Sequence, residues 1–189
     1  MIPRALGCYA NAPARVRARA FARWATAPFG PVEARLPATG RILDVGCGIG
    51  VFACHVALAS TGRAVVGVDS ELDDIALARL AARHAGPQGG RVDFRLTPPG
   101  DVPDGPWDAV VLLLDLLARL DAGEKAGLIG SCAEQLSLGG LLVANVRAQS
   151  GEAVAGWMEQ ANLVVRQEPL SGRFGRFHLL TGARRRSVT

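Results

Sequence analysis

The feature that most constrains the fold is a short apolar segment that runs into three closely spaced glycines. Ile42 and Leu43 lead into Asp44-Val45-Gly46-Cys47-Gly48-Ile49-Gly50, and a further apolar stretch begins at Val51. Glycines between a strand and a helix let the chain turn tightly, and they let a ligand touch bare backbone beside the free amides of the helix N-terminus. The segment therefore predicts a buried strand, a ligand-binding turn and a helix.

Strand-like and helix-like segments alternate along the rest of the chain. The apolar spacing predicts strands at residues 41–45, 64–69, 91–96, 107–114 and 141–146, and helices at 12–26, 51–60, 72–84, 122–136 and 152–161. Strands that alternate with helices form a parallel sheet with right-handed crossovers. Two last strands, at 163–168 and 174–181, are too close for a crossover, so we expect a hairpin with the last strand antiparallel.

The glycine spacing also bears on the ligand. A dinucleotide fingerprint, Gly-x-Gly-x-x-Gly, that starts at Gly46 meets Val51, and one that starts at Gly48 meets Ala53. Asp69 ends the second predicted strand, where a carboxylate can accept hydrogen bonds from both hydroxyls of a ribose. A nicotinamide-dependent reductase is therefore disfavoured, both by this spacing and by the hairpin at the end.

Four segments together resemble the class I methyltransferases that use S-adenosylmethionine (SAM). They are "ILDVGCGIG", "VVGVD", "WDAVVLLLDLL" and "LSLGGLLVANV", and the resemblance spans about residues 40–182. It implies an α/β fold of three layers, with a Rossmann-like seven-stranded sheet of order 3-2-1-4-5-7-6, helices on both faces and an extra N-terminal helix. It also implies a methyltransferase (EC 2.1.1.-) with SAM as cofactor and S-adenosylhomocysteine as product.

The resemblance assigns roles to residues around the glycine turn. Asp44 is expected to hold the methionine part of the cofactor and Asp69 its ribose, while the chain passes closely under the cofactor at the glycines. The full predicted cofactor set is Asp44, Gly46, Cys47, Gly48, Gly50, Asp69, Ser70 and Leu114. Asp69 could instead cap the next helix with Ser70, and Cys47 is expected to be packed or cofactor-lining rather than nucleophilic.

The chain departs from the family pattern at two places. The acidic residue that often follows the third strand and meets the adenine is absent from the run Phe94-Arg95-Leu96-Thr97-Pro98-Pro99. The proline that usually precedes the Gly-Gly turn is replaced by Leu138. We therefore expect adenine to rely on backbone contacts and apolar packing, or the affinity for SAM to be modest.

The residues that meet the methyl acceptor are less defined by the sequence. Asp115 follows the fourth strand and is the candidate catalytic residue, with helix capping as the alternative. The run after that strand lacks the Asn/Asp-Pro-Pro-aromatic signature of nucleobase amino-methyltransferases, so we expect a small-molecule acceptor, with oxygen favoured over nitrogen or carbon. The candidates for contact with it are Tyr9, Phe21 and Trp24, because N-terminal additions in this family commonly cover the substrate pocket; ordinary packing on the sheet is the alternative.

A second function is compatible with the same motifs. A non-catalytic protein of this fold could bind SAM or S-adenosylhomocysteine and regulate or scaffold a partner. We expect three regions in either case: a helical extension or substrate lid at 1–38, the SAM-binding domain at 39–183 and a basic tail at 184–189.

Composition narrows the partners further. The net charge of +4 is carried almost wholly by arginine, and it gives no specific sign of nucleic-acid binding. No apolar run approaches the roughly 18 residues of a membrane span, although the arginine-rich N-terminal helix could touch a membrane surface instead of solvent. The four cysteines lack paired spacing, which indicates a reducing cytoplasm. The histidines have no partners at ligand spacing, so no metal is expected.

Overall fold

The computed structural model describes residues 4–86, 91–172 and 175–185, with side chains for all of these except 114, 115, 171, 172 and 175. Seven strands form one sheet between two layers of helices. The elements are α1 (Arg4–Gly7), α2 (Ala14–Thr26), α3 (Phe29–Glu33), β1 (Thr39–Val45), α4 (Val51–Ala59), β2 (Gly62–Asp69), α5 (Leu72–His84), β3 (Val92–Leu96), β4 (Trp107–Leu112), α6 (Leu114–Leu117), α7 (Ala122–Glu134), β5 (Leu136–Arg147), α8 (Gly151–Gln160), β6 (Leu163–Gly172) and β7 (Gly175–Arg184).

The order of the strands confirms the predicted sheet, β3-β2-β1-β4-β5-β7-β6. Strands β1 to β5 are parallel, and β7 runs antiparallel to both of its neighbours, β5 and β6. From β1 the chain adds β2 and then β3 on one side of β1, and it then returns to place β4 on the other side of β1. In such a sheet, ligands bind in the crevice beyond the carboxyl ends of the two strands where the order reverses, which here are β1 and β4.

Alternate side chains of the central strands enter two separate apolar layers. Ile42, Val111 and Val143 face the layer that contains α2 to α5, with Phe52 and Ile75 among its buried members. Their neighbours along the same strands face the layer of α7 and α8; examples are Leu43, Val110, Leu142, Ile129 and Met158. The period of two in a strand produces this division, and it explains why the central strands are apolar almost throughout.

Several element boundaries differ from the sequence prediction. The helices α1 and α6 were not predicted, because four residues are too few to show a periodic pattern. β5 begins at Leu136 rather than at 141, since Gly139 has a φ of 81° and lets the strand continue through the glycine pair with a shift of register against β4. Within the described residues, no helix is long and apolar enough to span a bilayer.

The end of the chain and the start of α5 also required correction. Arg184 is the last residue of β7 and not part of the predicted basic tail. Its guanidinium donates to the carbonyl oxygens of Glu134, at 2.9 Å, and of Leu136. Residues 186–189 of that tail lie outside the described part. Ser70 does not cap α5, whose N-cap is Glu71 without a side-chain cap bond. A reciprocal capping box occurs at α7 instead, where the Asp121 and Glu124 side chains each accept the other's backbone N–H at 2.8 Å.

The capping box gives a stability prediction. Asp121→Ala should lower the free energy of unfolding by about 1 kcal/mol, because the amide of Glu124 loses its acceptor at the helix N-terminus. Asp121→Asn is the control, since an asparagine oxygen accepts the same bond. Urea denaturation measures both variants, and equal stability of Asp121→Ala and wild type would contradict the role of this cap.

Candidate active site

The turn between β1 and α4 adopts a backbone that favours glycine at three positions. Gly46, Gly48 and Gly50 have φ angles of 72°, 53° and 83°, in the left-handed region. A Cβ atom at Gly50 would lie 2.5 Å from the ring of Phe94, so space as well as backbone angle excludes a larger residue there. The amides of Gly46 and Cys47 both donate to the carbonyl of Val68, at 2.8 and 3.0 Å, which fixes the turn against β2.

Asp69 joins this turn to the beginning of α5. One oxygen of its carboxylate accepts the Gly48 N–H at 2.7 Å, and the other accepts the Glu71 N–H at 3.0 Å. A carboxylate offers about four lone-pair sites, so two accepted bonds leave capacity for the hydroxyls of a ligand. The bond to the Glu71 amide places Asp69 at the start of α5, as the helix-capping alternative expected, but Ser70 takes no part in it. Asp69 also lines the cavity beside the turn.

Asp44 is a buried carboxylate with no fixed partner. Its side chain lies at the end of β1, is 1% exposed and borders the same cavity. Neither of its oxygens finds a hydrogen-bond donor among the described residues. Burial raises the pKa of Asp44 to about 7. The positive charge of Arg23 and the nearby backbone amide of Ala53 oppose the rise in this pKa, and the negative charge of Asp69 adds to it. A cation that entered the cavity here would satisfy a group that is otherwise costly to bury.

The cavity has a volume of about 500 Å³ and lies between the glycine turn and α2. This size is within the range of small-molecule and cofactor sites. The walls come from several parts of the chain. They are residues 19–26 of α2, residues 44–52 at the turn and the start of α4, residues 68–74 at the end of β2 and the start of α5, the loop at 97–101 after β3, the region of α6 with its following residues, and Leu128 of α7.

The N-terminal segment is attached to the cavity at two points. Arg19 on α2 forms a two-pronged ion pair with Asp74 on α5, with one N–O distance of 2.6 Å. The hydroxyl of Tyr9 donates to the carbonyl of Ile49 at 2.6 Å, in a buried contact with the glycine turn. The helical extension therefore supplies part of the cavity wall, and its role as a lid over a substrate stays a prediction.

The three aromatic residues proposed to contact the acceptor lie elsewhere. Tyr9 is buried beneath the glycine turn, as described above. Trp24 packs edge-on against Phe29 and His55, with ring centroids 5.5 and 5.0 Å apart, and Phe21 is 62% exposed. None of the three borders the cavity, so for Tyr9 and Trp24 the structure shows the packing that was the alternative expectation.

The cofactor residues predicted at the turn do come together. Asp44, Gly46, Cys47, Gly48, Asp69 and Ser70 all line the cavity, while Gly50 is buried behind it. Burial raises the pKa of the Cys47 thiol well above its usual range, which supports a packed rather than nucleophilic cysteine. Leu114 and Asp115 belong to α6, but their side chains are outside the described part, so their roles stay predictions.

Sequence reasoning missed several residues of the wall. Arg19 and Arg23 line the cavity from α2, and Asp74 lines it from α5. Asp101 reaches the wall from the loop after β3, two residues beyond the run in which no acid was found. An irregular loop has no periodicity from which such a position follows, whereas the four-residue spacing of Arg19 and Arg23 was a usable sign that both face one way.

No metal centre is visible in the part of the chain that the structure describes. The acidic, cysteine and histidine side chains there do not gather in groups of three or more that could hold an ion.

Comparison with known proteins identifies the family. Residues 42–140, more than half of the chain, match the methyltransferase domain family. The chain therefore belongs to the methyltransferase domain family. It is 31% identical over 142 residues to the ubiquinone biosynthesis O-methyltransferase of Xanthomonas axonopodis pv. citri strain 306, which covers 73% of this chain and 56% of that protein. This methyltransferase domain thus spans little more than half the length of that curated relative.

Solved structures agree on the fold. Magnesium protoporphyrin IX methyltransferase from Synechocystis PCC 6803, with bound SAM, superposes with a TM-score of 0.71 at 18% identity and covers 96% of this chain and 89% of that one. The glycopeptide N-methyltransferase MtfA gives a TM-score of 0.72 at 15% identity, over 85% and 96% of the two chains. Similarity at this level shows the shared fold and does not select an acceptor.

SAM, the cofactor of this family, fits the residues that are present. Its amino group and sulfonium are cationic, and the buried Asp44 carboxylate lacks a donor among the described residues. Its ribose offers two hydroxyls to Asp69, and the chain passes without side chains at Gly46 and Gly48. Charge, hydrogen-bonding capacity and space are therefore matched in one cavity.

The raised pKa of Asp44 leads to a stability prediction with a defined sign. The pKa of Asp44 rises from an ordinary 3.8 in the unfolded chain to about 7 in the fold. Between these two pH values, the folded protein without cofactor keeps a proton on Asp44 that the unfolded chain has lost. This group therefore destabilises the fold increasingly as the pH rises through that window. Asp44→Asn should be more stable than wild type at pH 8. Its gain in the free energy of unfolding over wild type should be larger at pH 8 than at pH 5, by an amount on the order of 2 kcal/mol.

Urea denaturation of both proteins without cofactor, at the two pH values, measures this difference. Asp108→Asn is a control, because Asp108 accepts hydrogen bonds from the Arg41 amide and the Ser137 hydroxyl and should not gain stability from loss of its charge. An Asp44→Asn variant less stable than wild type at pH 8 would mean that the Asp44 carboxylate has a structural partner.

Proposed function

We propose that this chain transfers the methyl group of SAM to the hydroxyl oxygen of a small-molecule acceptor. The observation that carries the proposal is the buried, unpaired Asp44 carboxylate at the edge of a cavity that also contains Asp69 and the glycine turn. A carboxylate in this state is costly for a protein to keep unless a cationic ligand binds it. The family match gives the same cofactor independently.

The chemistry places modest demands on the protein. When bound, SAM supplies a methyl group on a sulfonium, which is already activated for in-line displacement. Asp44 would hold the methionine part and Asp69 the ribose of such a ligand, while Leu113, Leu116 and Leu120 line the cavity on the β4 side and exclude water. The residues thus contribute mainly orientation and desolvation, and because a hydroxyl loses its proton when its oxygen is methylated, the site must also pass that proton to a base or to water.

The preference for oxygen is supported by the curated relative with 31% identity, which is named as an O-methyltransferase. We propose Asp115 as the group that orients the acceptor or accepts its proton, on the ground that it follows β4 at the carboxyl edge of the sheet.

Asp69 gives the direct test of the cofactor site. Asp69→Ala should weaken SAM binding more than tenfold in calorimetry, because it removes the acceptor for the ribose and loosens the amide of Gly48. Asp93→Ala is the matched control, since Asp93 is exposed on β3 and pairs with Arg95 away from this cavity. Methyl-labelled SAM incubated with the protein and a pool of small hydroxylated compounds then tests transfer, with Asp69→Ala as the negative control.

The outcomes separate the candidate functions. Labelled product from the wild type and none from Asp69→Ala supports the proposal. Tight SAM binding with no transfer to any acceptor would favour a regulatory or scaffold protein, and absence of SAM binding would contradict the proposal altogether.

A further inference from the structure

Asn145 is a buried amide without a hydrogen-bond partner among the described residues. It lies on β5 with 1% of its surface exposed, and neither its oxygen nor its nitrogen forms a hydrogen bond there. An unsatisfied buried amide destabilises the fold, and native proteins rarely leave one without a ligand or water. The cofactor site described above does not use this residue.

The register of the sheet places Asn145 beside the cavity. Leu112 pairs with Ala144, so Asn145 lies one step farther toward the carboxyl edge, next to Leu113. Leu113 itself lines the cavity. The antiparallel partner of Asn145 on the other side is Leu179, which is buried. The amide is therefore flanked by apolar side chains at the end of the sheet where ligands of this fold bind.

Asn145 shares with Asp44 the property of being buried without a hydrogen-bond partner among the described residues. Asp44 pairs with Val111 and Val111 with Val143, so the alternation of side chains puts Asp44 and Asn145 on the same face of the sheet, one on each side of β4. With strands about 4.8 Å apart and a rise of about 3.3 Å per residue, they are roughly 12 Å from each other. Among the described residues, the third buried polar side chain is Arg63, which is fully engaged with Glu33, Leu36 and Pro37.

Asp44 thus lines one half of the crevice, whereas Asn145 does not line the cavity itself and lies beside Leu113, which lines the other half. The β1 and β2 half contains the residues that suit the cofactor, namely Asp44, Asp69 and the glycine turn. A methyl acceptor must approach the sulfonium from the remaining half, toward β4 and β5. Asn145 is neutral and offers both a donor and an acceptor, and its neighbours are apolar, so it suits an uncharged hydroxyl on an otherwise apolar ligand.

We propose that Asn145 binds the methyl acceptor, and that the acceptor is a small, mainly apolar molecule with an uncharged hydroxyl. This inference rests on the proposed function, because it assumes that the cofactor fills the β1 and β2 half of the crevice. Since Asn145 is almost fully buried, the hydroxyl must enter the sheet edge beside Leu113 to reach it. A contact so excluded from water discriminates strongly against ligands that lack the hydroxyl.

The test uses the full chain saturated with S-adenosylhomocysteine and three probes, catechol, phenol and toluene. Ligand-observed nuclear magnetic resonance measures their dissociation constants for wild type and for Asn145→Leu, which keeps the number of side-chain heavy atoms and the branching at Cγ but lacks the amide. Wild type should bind catechol or phenol at least tenfold more tightly than toluene, and Asn145→Leu should lose that preference. Toluene binding and S-adenosylhomocysteine affinity should change less than twofold.

Thr181→Val is the matched control for the polar-to-apolar change. Thr181 pairs with Val143 on the same face of the sheet, two residues farther from the carboxyl edge than Asn145, so this variant should keep the preference for the hydroxylated probes. If Asn145→Leu retains the preference, or if wild type binds toluene as well as phenol, the inference is overturned. Failure of S-adenosylhomocysteine to bind at all would instead overturn the proposed function.

The melting temperature gives a second readout. Without ligand, Asn145→Leu should melt at or above the temperature of wild type, because the variant removes an unsatisfied amide from an apolar layer. A clear fall in the melting temperature, with Thr181→Val unchanged, would show that the amide has a structural partner and would count against its role in binding.

Discussion

The glycine turn between β1 and α4 is the constraint on which the rest of the site depends. Its backbone adopts left-handed φ angles at Gly46, Gly48 and Gly50. Amides of the turn donate hydrogen bonds to two acceptors at the end of β2, the carbonyl of Val68 and the carboxylate of Asp69. These bonds put two neighbouring strand ends and the start of α4 in one fixed arrangement. The cavity wall, the exposed backbone and the position of the buried Asp44 all follow from this arrangement.

Charge is distributed over the cavity in a way that suits one kind of ligand. Carboxylates of the sheet and of α5 lie on one side, and arginines of α2 lie on the other, where Arg19 is already paired with Asp74. The unpaired carboxylate of Asp44 is therefore the group with most to gain from a cation. A sulfonium compound with an ammonium group meets this requirement, while a dinucleotide, whose phosphates are anionic, does not.

Much of this fold could be predicted from the sequence because its central strands are nearly continuous apolar runs and its glycine spacing is specific. The alternation of strands and helices and the final hairpin were predicted correctly for that reason, and the strand order implied by the family resemblance was also correct. The roles of Tyr9 and Trp24 were beyond such reasoning, since a helix with aromatic residues can pack on a sheet or cover a pocket with the same periodicity. Asp101 and Asn145 were also missed, because a loop position and an unsatisfied buried amide become apparent only from tertiary structure.

The Asp44 carboxylate is unpaired among the described residues, and the cationic end of SAM is the partner that suits it. Carbon-13 nuclear magnetic resonance of the Asp44 carboxyl group, followed against pH with and without SAM, measures this most directly. Without cofactor, the pKa of Asp44 should lie near 7, and saturation with SAM should lower it by roughly two units or more as the ammonium stabilises the charged form. An Asp44 pKa that is ordinary in the free protein, or that does not move when SAM binds, would contradict the claim.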